Sequence, residues 1–199
     1  HTRSSLVSWA SEMCIRDSYG GARVMTRHLR DSGHRRIAFI AGPDDNFDAH
    51  ERLRGYRDEL ALDAQAQPWV LPGNFDEESG YRAGQTLAQH DRPDAVFAAN
   101  DMMALGCLFA LGHAGLKVPH DIALAGFDDV PMARYVLPAL TTMRVDIAGL
   151  GARALRLLLG QQLVDAPAPP ADAAPPALSE MVPELIVRAS SAPRSASGG

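Results

Sequence analysis

A chain of 199 residues, 46% hydrophobic and 22% charged, can bury a sizeable core in one or two compact units and is not disordered as a whole. Its net charge of −5 and its two cysteines argue against a chain that grips nucleic-acid phosphates by itself, a disulfide framework, or a cysteine-built zinc site. No run reaches the roughly eighteen apolar residues of a membrane span, and the opening His1-Thr2-Arg3-Ser4-Ser5 lacks the basic-then-apolar layout of a signal peptide; no membrane partner and a cytoplasmic location are expected.

Residues 1–18 show neither periodicity nor a capping signal and stay unassigned. From Tyr19, helical and strand patterns alternate with short loops, which predicts an α/β fold: a three-layer sandwich with a parallel sheet covered by helices. Helices are expected at about 20–32, 49–62, 77–90 and 101–115. Between them lie Ile37–Ala41, Pro68–Leu71, Ala95–Ala99 and Ile122–Gly126, nearly continuous apolar runs of the kind buried on both faces. Gly33, Gly73 and Gly115 fall near helix ends or turns, where a left-handed residue is often needed. Residues 19–146 are read as one lobe. Beyond Asp128 come a loop to Pro138, a strand at Leu140–Val145 and an amphipathic helix at 147–164. Asp165–Ala177 holds five prolines in thirteen residues and reads as a Pro-Ala linker over 165–180. A returning strand is expected within 181–189 and a frayed tail over 190–199.

In an open parallel sheet, ligands bind outside the carboxyl ends of the strands. Those ends run into Gly42-Pro43-Asp44-Asp45-Asn46, Gly73-Asn74-Phe75-Asp76, Asn100-Asp101 and Phe127-Asp128-Asp129, so polar groups converge on one edge. Asp76 and Asn100 also suit helix N-caps, the better reading for either residue taken alone, and it is the convergence of four such strand ends that points to a site. There is no glycine-rich phosphate loop, and carboxylates repel phosphate. Carboxylate, amide and guanidinium beside an aromatic ring instead suit a neutral polyhydroxylated molecule, a sugar or nucleoside.

Enzymatic signatures are missing. No G-x-S-x-G elbow occurs, the seven histidines do not pair at metal-ligand spacing, and Cys107 sits in an apolar run where an inert thiol is expected. Neither catalysis, cofactor nor metal is proposed. The 101–115 helix is apolar all round, with Met102, Met103, Leu105, Leu108, Phe109 and Leu111 about its axis, so it must be covered twice. Its second cover is either a neighbouring helix or another subunit.

The segments Gly33-His34-Arg35-Arg36-Ile37-Ala38-Phe39-Ile40-Ala41-Gly42-Pro43, Arg52-Leu53-Arg54-Gly55-Tyr56, Asn100-Asp101-Met102-Met103-Ala104-Leu105-Gly106, Val118-Pro119-His120-Asp121-Ile122, Gly126-Phe127-Asp128-Asp129 and Pro138-Ala139-Leu140-Thr141-Thr142 resemble, in order, the effector-binding domain of LacI/GalR-type transcriptional repressors. The resemblance runs from about Tyr19 to Ser190 and implies mainly the second lobe of a periplasmic-binding-protein-like core. By position it implies that Arg52 grips the effector, that Asp128 is the carboxylate of the G-[YF]-D motif, that Asn100 is an effector-binding amide and Phe75 a pocket ring, with Asn46 near a further contact. It also implies a homodimer with Leu105 and Leu108 in the interface.

The sequence departs from the family pattern at its start. Most of the first lobe, the hinge helix and the helix-turn-helix are not in it, and residues 1–16 do not resemble the family. The chain is therefore read as the N-terminally incomplete effector-sensing and dimerisation part of a sugar-responsive regulator. Its 147–164 helix would belong to the missing lobe, and operator DNA would be met only through the missing head. The alternative is a sugar-binding protein of a transport system.

Overall fold

The computed structural model describes residues 18–89, 92–145 and 183–193. It opens with helix α1 at 18–31 and continues through β1 (Ile37–Ile40), α2 (Phe47–Leu60), β2 (Trp69–Leu71), α3 (Glu77–Gln89), β3 (Ala95–Ala98), α4 (Asp101–His113) and β4 (Ala123–Ala125). A 3-10 turn at Pro131–Arg134, β5 (Thr142–Arg144), β6 (Glu184–Ile186) and a second 3-10 turn at Ala189–Ser191 complete the order.

The first four strands form one parallel sheet in the order β2-β1-β3-β4. β1, β3 and β4 are buried at every residue, as continuous apolar runs require when both faces are covered. Adjacent residues of β1 face opposite sides. Phe39 stacks on Tyr56 of α2 with ring centroids 4.9 Å apart, while Ile40 lies with Met103 of α4 around Gly73. Helices therefore cover both faces, and the three-layer α/β expectation holds.

Each helix layer is knitted differently. Between α1 and α2, the buried Glu59 carboxylate accepts from Arg23 Nε at 2.9 Å and from Arg27 Nε at 2.8 Å. Burial alone would raise Glu59, but the Arg27 and Arg23 hydrogen bonds bring it below the ordinary carboxylate range. Between α3 and α4 the backbones touch: a Cβ on Gly80 would overlap Met103, and one on Gly106 would overlap the Glu77 carbonyl. Tyr56, fully buried, donates its hydroxyl to Ile37 O at 2.7 Å and accepts from Trp69 N at 3.0 Å, tying β1 to β2 from above. Burial pushes that phenol up to about 12.

Two expectations change. Gly33 and Gly115 are left-handed, at φ 93° and 76°, but Gly73 is not; it is wanted for space, since a Cβ there would meet Ala41 O and the Met103 sulfur. The frayed tail does not begin at 190, because Ser190 and Ser191 are buried. Ser190 Oγ donates to Leu124 O at 2.6 Å and accepts from Thr141 N at 2.8 Å, and Ser191 Oγ meets Thr141 Oγ1 at 2.7 Å and His28 Nε2 at 2.9 Å. Small polar residues look like tail in sequence, yet here Ser190 satisfies buried backbone and Ser191 buried side-chain groups. The two strands expected beyond Asp128, β5 and β6, are present and pair antiparallel as a small sheet of their own. The 147–164 helix, the 165–180 linker, residues 1–17 and residues 194–199 lie outside the described residues.

Candidate functional site

The carboxyl ends of β1 to β4 open on one edge, and a single side chain joins those of β3 and β4. Arg52 lies on the inner face of α2, a helix whose buried residues include Ala49, Tyr56 and Leu60. The spacing of these positions turns Arg52 toward the sheet rather than toward water. It is 9% exposed. Its Nη1 donates to Ala99 O, just past β3, at 2.6 Å. Its Nη2 meets Asp128 Oδ1, just past β4, at 3.1 Å. Nε reaches Ser18 Oγ of α1 at 3.4 Å, and the guanidinium stands 3.9 Å from the centre of the Phe127 ring and 5.9 Å from that of Phe75. A buried guanidinium is costly unless its fork is satisfied and its plane covered; both conditions are met here by parts that are distant in sequence.

Asp128 is held by backbone as well as by charge. Its φ of 107° and the 52° of Asp129 are unusual for residues with side chains, and such outliers persist where the surroundings over-determine them. Asp128 N donates to Met143 O at 2.8 Å. Its side chain is 29% exposed, so the carboxylate keeps a face toward solvent. Burial pushes its carboxyl above the ordinary value, Arg52 opposes this, and Asp48 in the first turn of α2 adds to it.

Phe75 also adopts a left-handed backbone, with φ 63°, and its half-buried ring covers Gly42, where a Cβ would collide with it. That geometry is fixed by Asn100, whose Nδ2 donates to Phe75 O at 2.9 Å while its Oδ1 caps α4 through Met103 N at 2.9 Å. Asn46 is the N-cap of α2, accepting from Ala49 N at 3.0 Å. Thus Arg52, Asp128 and Phe75 come together, while Asn100 and Asn46 stand at the same edge carrying framework hydrogen bonds. Asp76 likewise accepts from Ser79 N at 2.7 Å, and that bond, with Asn74, lowers its carboxyl.

Several site residues have no local signal in the sequence. Phe127, the platform under Arg52, reads there as part of a buried strand end. Ser18, whose hydroxyl donates to Asp48 at 3.0 Å, falls in the unassigned opening. Asp101 is fully buried, accepting from Thr142 Oγ1 at 2.7 Å and Val130 N at 2.9 Å. Burial pushes its carboxyl up to about 7 against those two hydrogen bonds. Cys107 is buried and its thiol is pushed up to about 12 by burial, the opposite of an activated nucleophile.

On α4, Leu105 is 6% exposed within its own chain and Leu108 is half-buried, while Phe109 is 63% exposed. The large apolar group this helix leaves to solvent is therefore Phe109, which the sequence reading did not single out. Among the described residues no three His, Cys, Asp or Glu side chains gather to hold a metal ion, and no helix is long and apolar enough to cross a membrane.

Chemically, the edge offers a solvent-facing carboxylate, held by a guanidinium in a fixed plane, and one aromatic face, a set that can accept hydrogen bonds from paired hydroxyls while covering an apolar face. Known proteins share its frame. Residues 26–191 match the periplasmic binding protein-like domain. The HTH-type transcriptional repressor PurR of Escherichia coli O1:K1 / APEC is 40% identical over 152 residues, 75% of this chain and 45% of that protein; the chain spans less than half the length of such relatives. Among solved structures, a LacI family transcriptional regulator from Enterococcus faecium with bound ribose superposes with a TM-score of 0.73 at 26% identity, covering 90% of this chain and 65% of that one. The transcriptional regulator CelR–cellobiose complex superposes at 0.72 with 34% identity, covering 87% and 52%.

Proposed function

Because this chain belongs to the periplasmic-binding-protein-like family, in the form of the effector-binding domain of LacI-type transcriptional regulators, we propose that it is the effector-sensing and dimerisation part of a cytoplasmic regulator that responds to a neutral sugar. The observation that carries this reading is the hub at Arg52, which joins Asp128, Phe127 and Ala99 and leaves Asp128 facing solvent beside the Phe75 ring. A pyranose or furanose presents vicinal hydroxyls on its rim and a C–H face above, and this set answers both. Ribose and cellobiose in the two similar regulators support the class. Relatives named as regulators support this role over a transport protein and over an enzyme.

In the intact regulator, a second lobe closes over the effector, and the change in lobe placement moves DNA-binding heads that lie outside these residues. Two copies pair through the α4 face, with Leu108 and Phe109 central and Leu105 behind them. Amide NMR of this chain titrated with ribose and cellobiose tests the effector site. Shifts are expected at Arg52, Phe75 and Asp128, and Asp128→Ala should weaken binding by about 2 kcal/mol, roughly 30-fold, by removing a charged acceptor. No response at that edge to any mono- or disaccharide would overturn the reading.

A further inference from the structure

Next to Asp128, the Asp129 side chain is 2% exposed and points away from the effector edge into three arginines. Arg144 Nε of β5 donates to Asp129 Oδ2 at 2.8 Å, Arg134 Nη2 of the 3-10 turn approaches the same oxygen at 3.4 Å, and Arg188 Nη2, just past β6, donates to Oδ1. Burial alone would raise this carboxyl, but the Arg188 and Arg144 bonds hold it below the ordinary range. Arg188 also donates to Leu140 O at 2.7 Å, so the cluster grips backbone as well as charge.

The loop carrying both aspartates is sewn to β5 along its length. Ala125 bridges Thr141 in parallel, Gly126 N donates to Thr141 O at 2.9 Å, Asp128 N to Met143 O at 2.8 Å and Asp129 N to Thr142 Oγ1 at 3.3 Å. β5 and β6 are the strands by which the chain leaves the described body for residues 146–182 and returns. The position of Asp128 is thus set by these strands, and Asp129 is the side chain that locks them to it.

We propose that Asp129 is a positioning residue: by clamping Arg144 and Arg188 it keeps Asp128 on Arg52, so that engagement of Asp128 and movement of the β5–β6 pair are one event. This deepens the effector reading and rests on it for its biological meaning. The three arginines are not equal in it. Arg134 is 55% exposed and Arg144 40%, against 13% for Arg188, so solvent weakens the first two and Arg188 is the main anchor.

The test needs no effector, so it fails or succeeds independently of the sugar reading. NMR follows the Asp128 carboxyl and the Arg52 guanidinium of this chain across pH, with Asp48, Asp101 and Asp129 as the other titrating groups near them. In the parent, Arg52 should trace the Asp128 midpoint, since the two lie 3.1 Å apart. In Asp129→Asn the amplitude of that response should fall about threefold or more, because the interaction weakens as the pair separates. A purely structural clamp would lower the melting temperature and leave Arg52 following Asp128 at parent amplitude, which overturns the proposal. Should Asp129→Asn not fold, Arg188→Gln removes the main anchor while leaving Asp129 and Arg144 in place and is read the same way: a reduced amplitude supports the clamp, an unchanged one overturns it.

Discussion

Asp101 shows how one residue can be plain in sequence and unreadable in role. It follows Asn100 in the first turn of a helix, where any acidic residue is favoured by the helix dipole. In the fold it is fully buried, bonded to Thr142 and Val130, with its carboxyl raised to about 7. A carboxyl raised in the folded state is protonated there while its unfolded counterpart is not, so between about pH 4 and 7 the native state binds the extra proton. Its contribution to stability is therefore greatest below the unfolded value, declines as pH rises through that window and levels off above about 7. Asn at this position can accept from Val130 and donate to Thr142 without ionising. Urea unfolding of parent and Asp101→Asn should show the parent losing stability relative to the variant as pH rises from 4 to 7; a constant difference would mean that Asp101 is ionised throughout. Arg52, by contrast, stands out in sequence only by its place in a motif, and the structure shows four elements converging on its guanidinium.

Elements were legible wherever their burial is simple. The parallel strands and the four helices lie within two residues of their expected bounds, because continuous apolar runs and helical periodicity report burial directly. What periodicity does not report is who covers whom. The second cover of α4 is in part α3, made possible by glycines at 80, 84 and 106 that let the backbones touch. Gly106→Ala improves helix propensity by about 1 kcal/mol, yet its Cβ would meet the Glu77 carbonyl, and overpacking of this kind costs about 1–3 kcal/mol. A net loss of stability in denaturant titration is expected, and a gain would show that α3 can slide. The other part of α4 ends in an exposed Phe109 beside Leu108. Replacing both with Glu should convert a dimer to a monomer in analytical ultracentrifugation without change in far-UV circular dichroism. An unaltered mass would place the interface elsewhere, for which the exposed Met132, Tyr135 and Leu137 are the next surface to test.

At the scale of the molecule, charge and the share of its relatives that the chain spans, less than half, bear most on the proposed function. A net charge of −5 opposes the counterion release that drives operator binding, so this chain alone should give no gel shift on candidate operators at physiological salt. A specific shift would mean that the DNA-reading surface lies within these 199 residues. On the proposed reading, sugar bound at the Arg52 edge would meet one lobe and water, and tight sites enclose most of their ligand. Affinity for this chain should therefore be weak and should rise when the preceding lobe is supplied, measured by calorimetry on both forms.

Sequence by itself determined the class of fold, the order of the elements and the family, because each rests on local pattern or on residues in fixed order. Tertiary structure alone decided what those residues do. Asn100 and Asn46 cap helices, Phe75 is set by a hydrogen bond from Asn100, Ser190 and Ser191 belong to the core, and Asp129 draws arginines from 5, 15 and 59 positions away. Such pairings leave no periodic trace, since a buried charge selects its partners by distance in space and not along the chain.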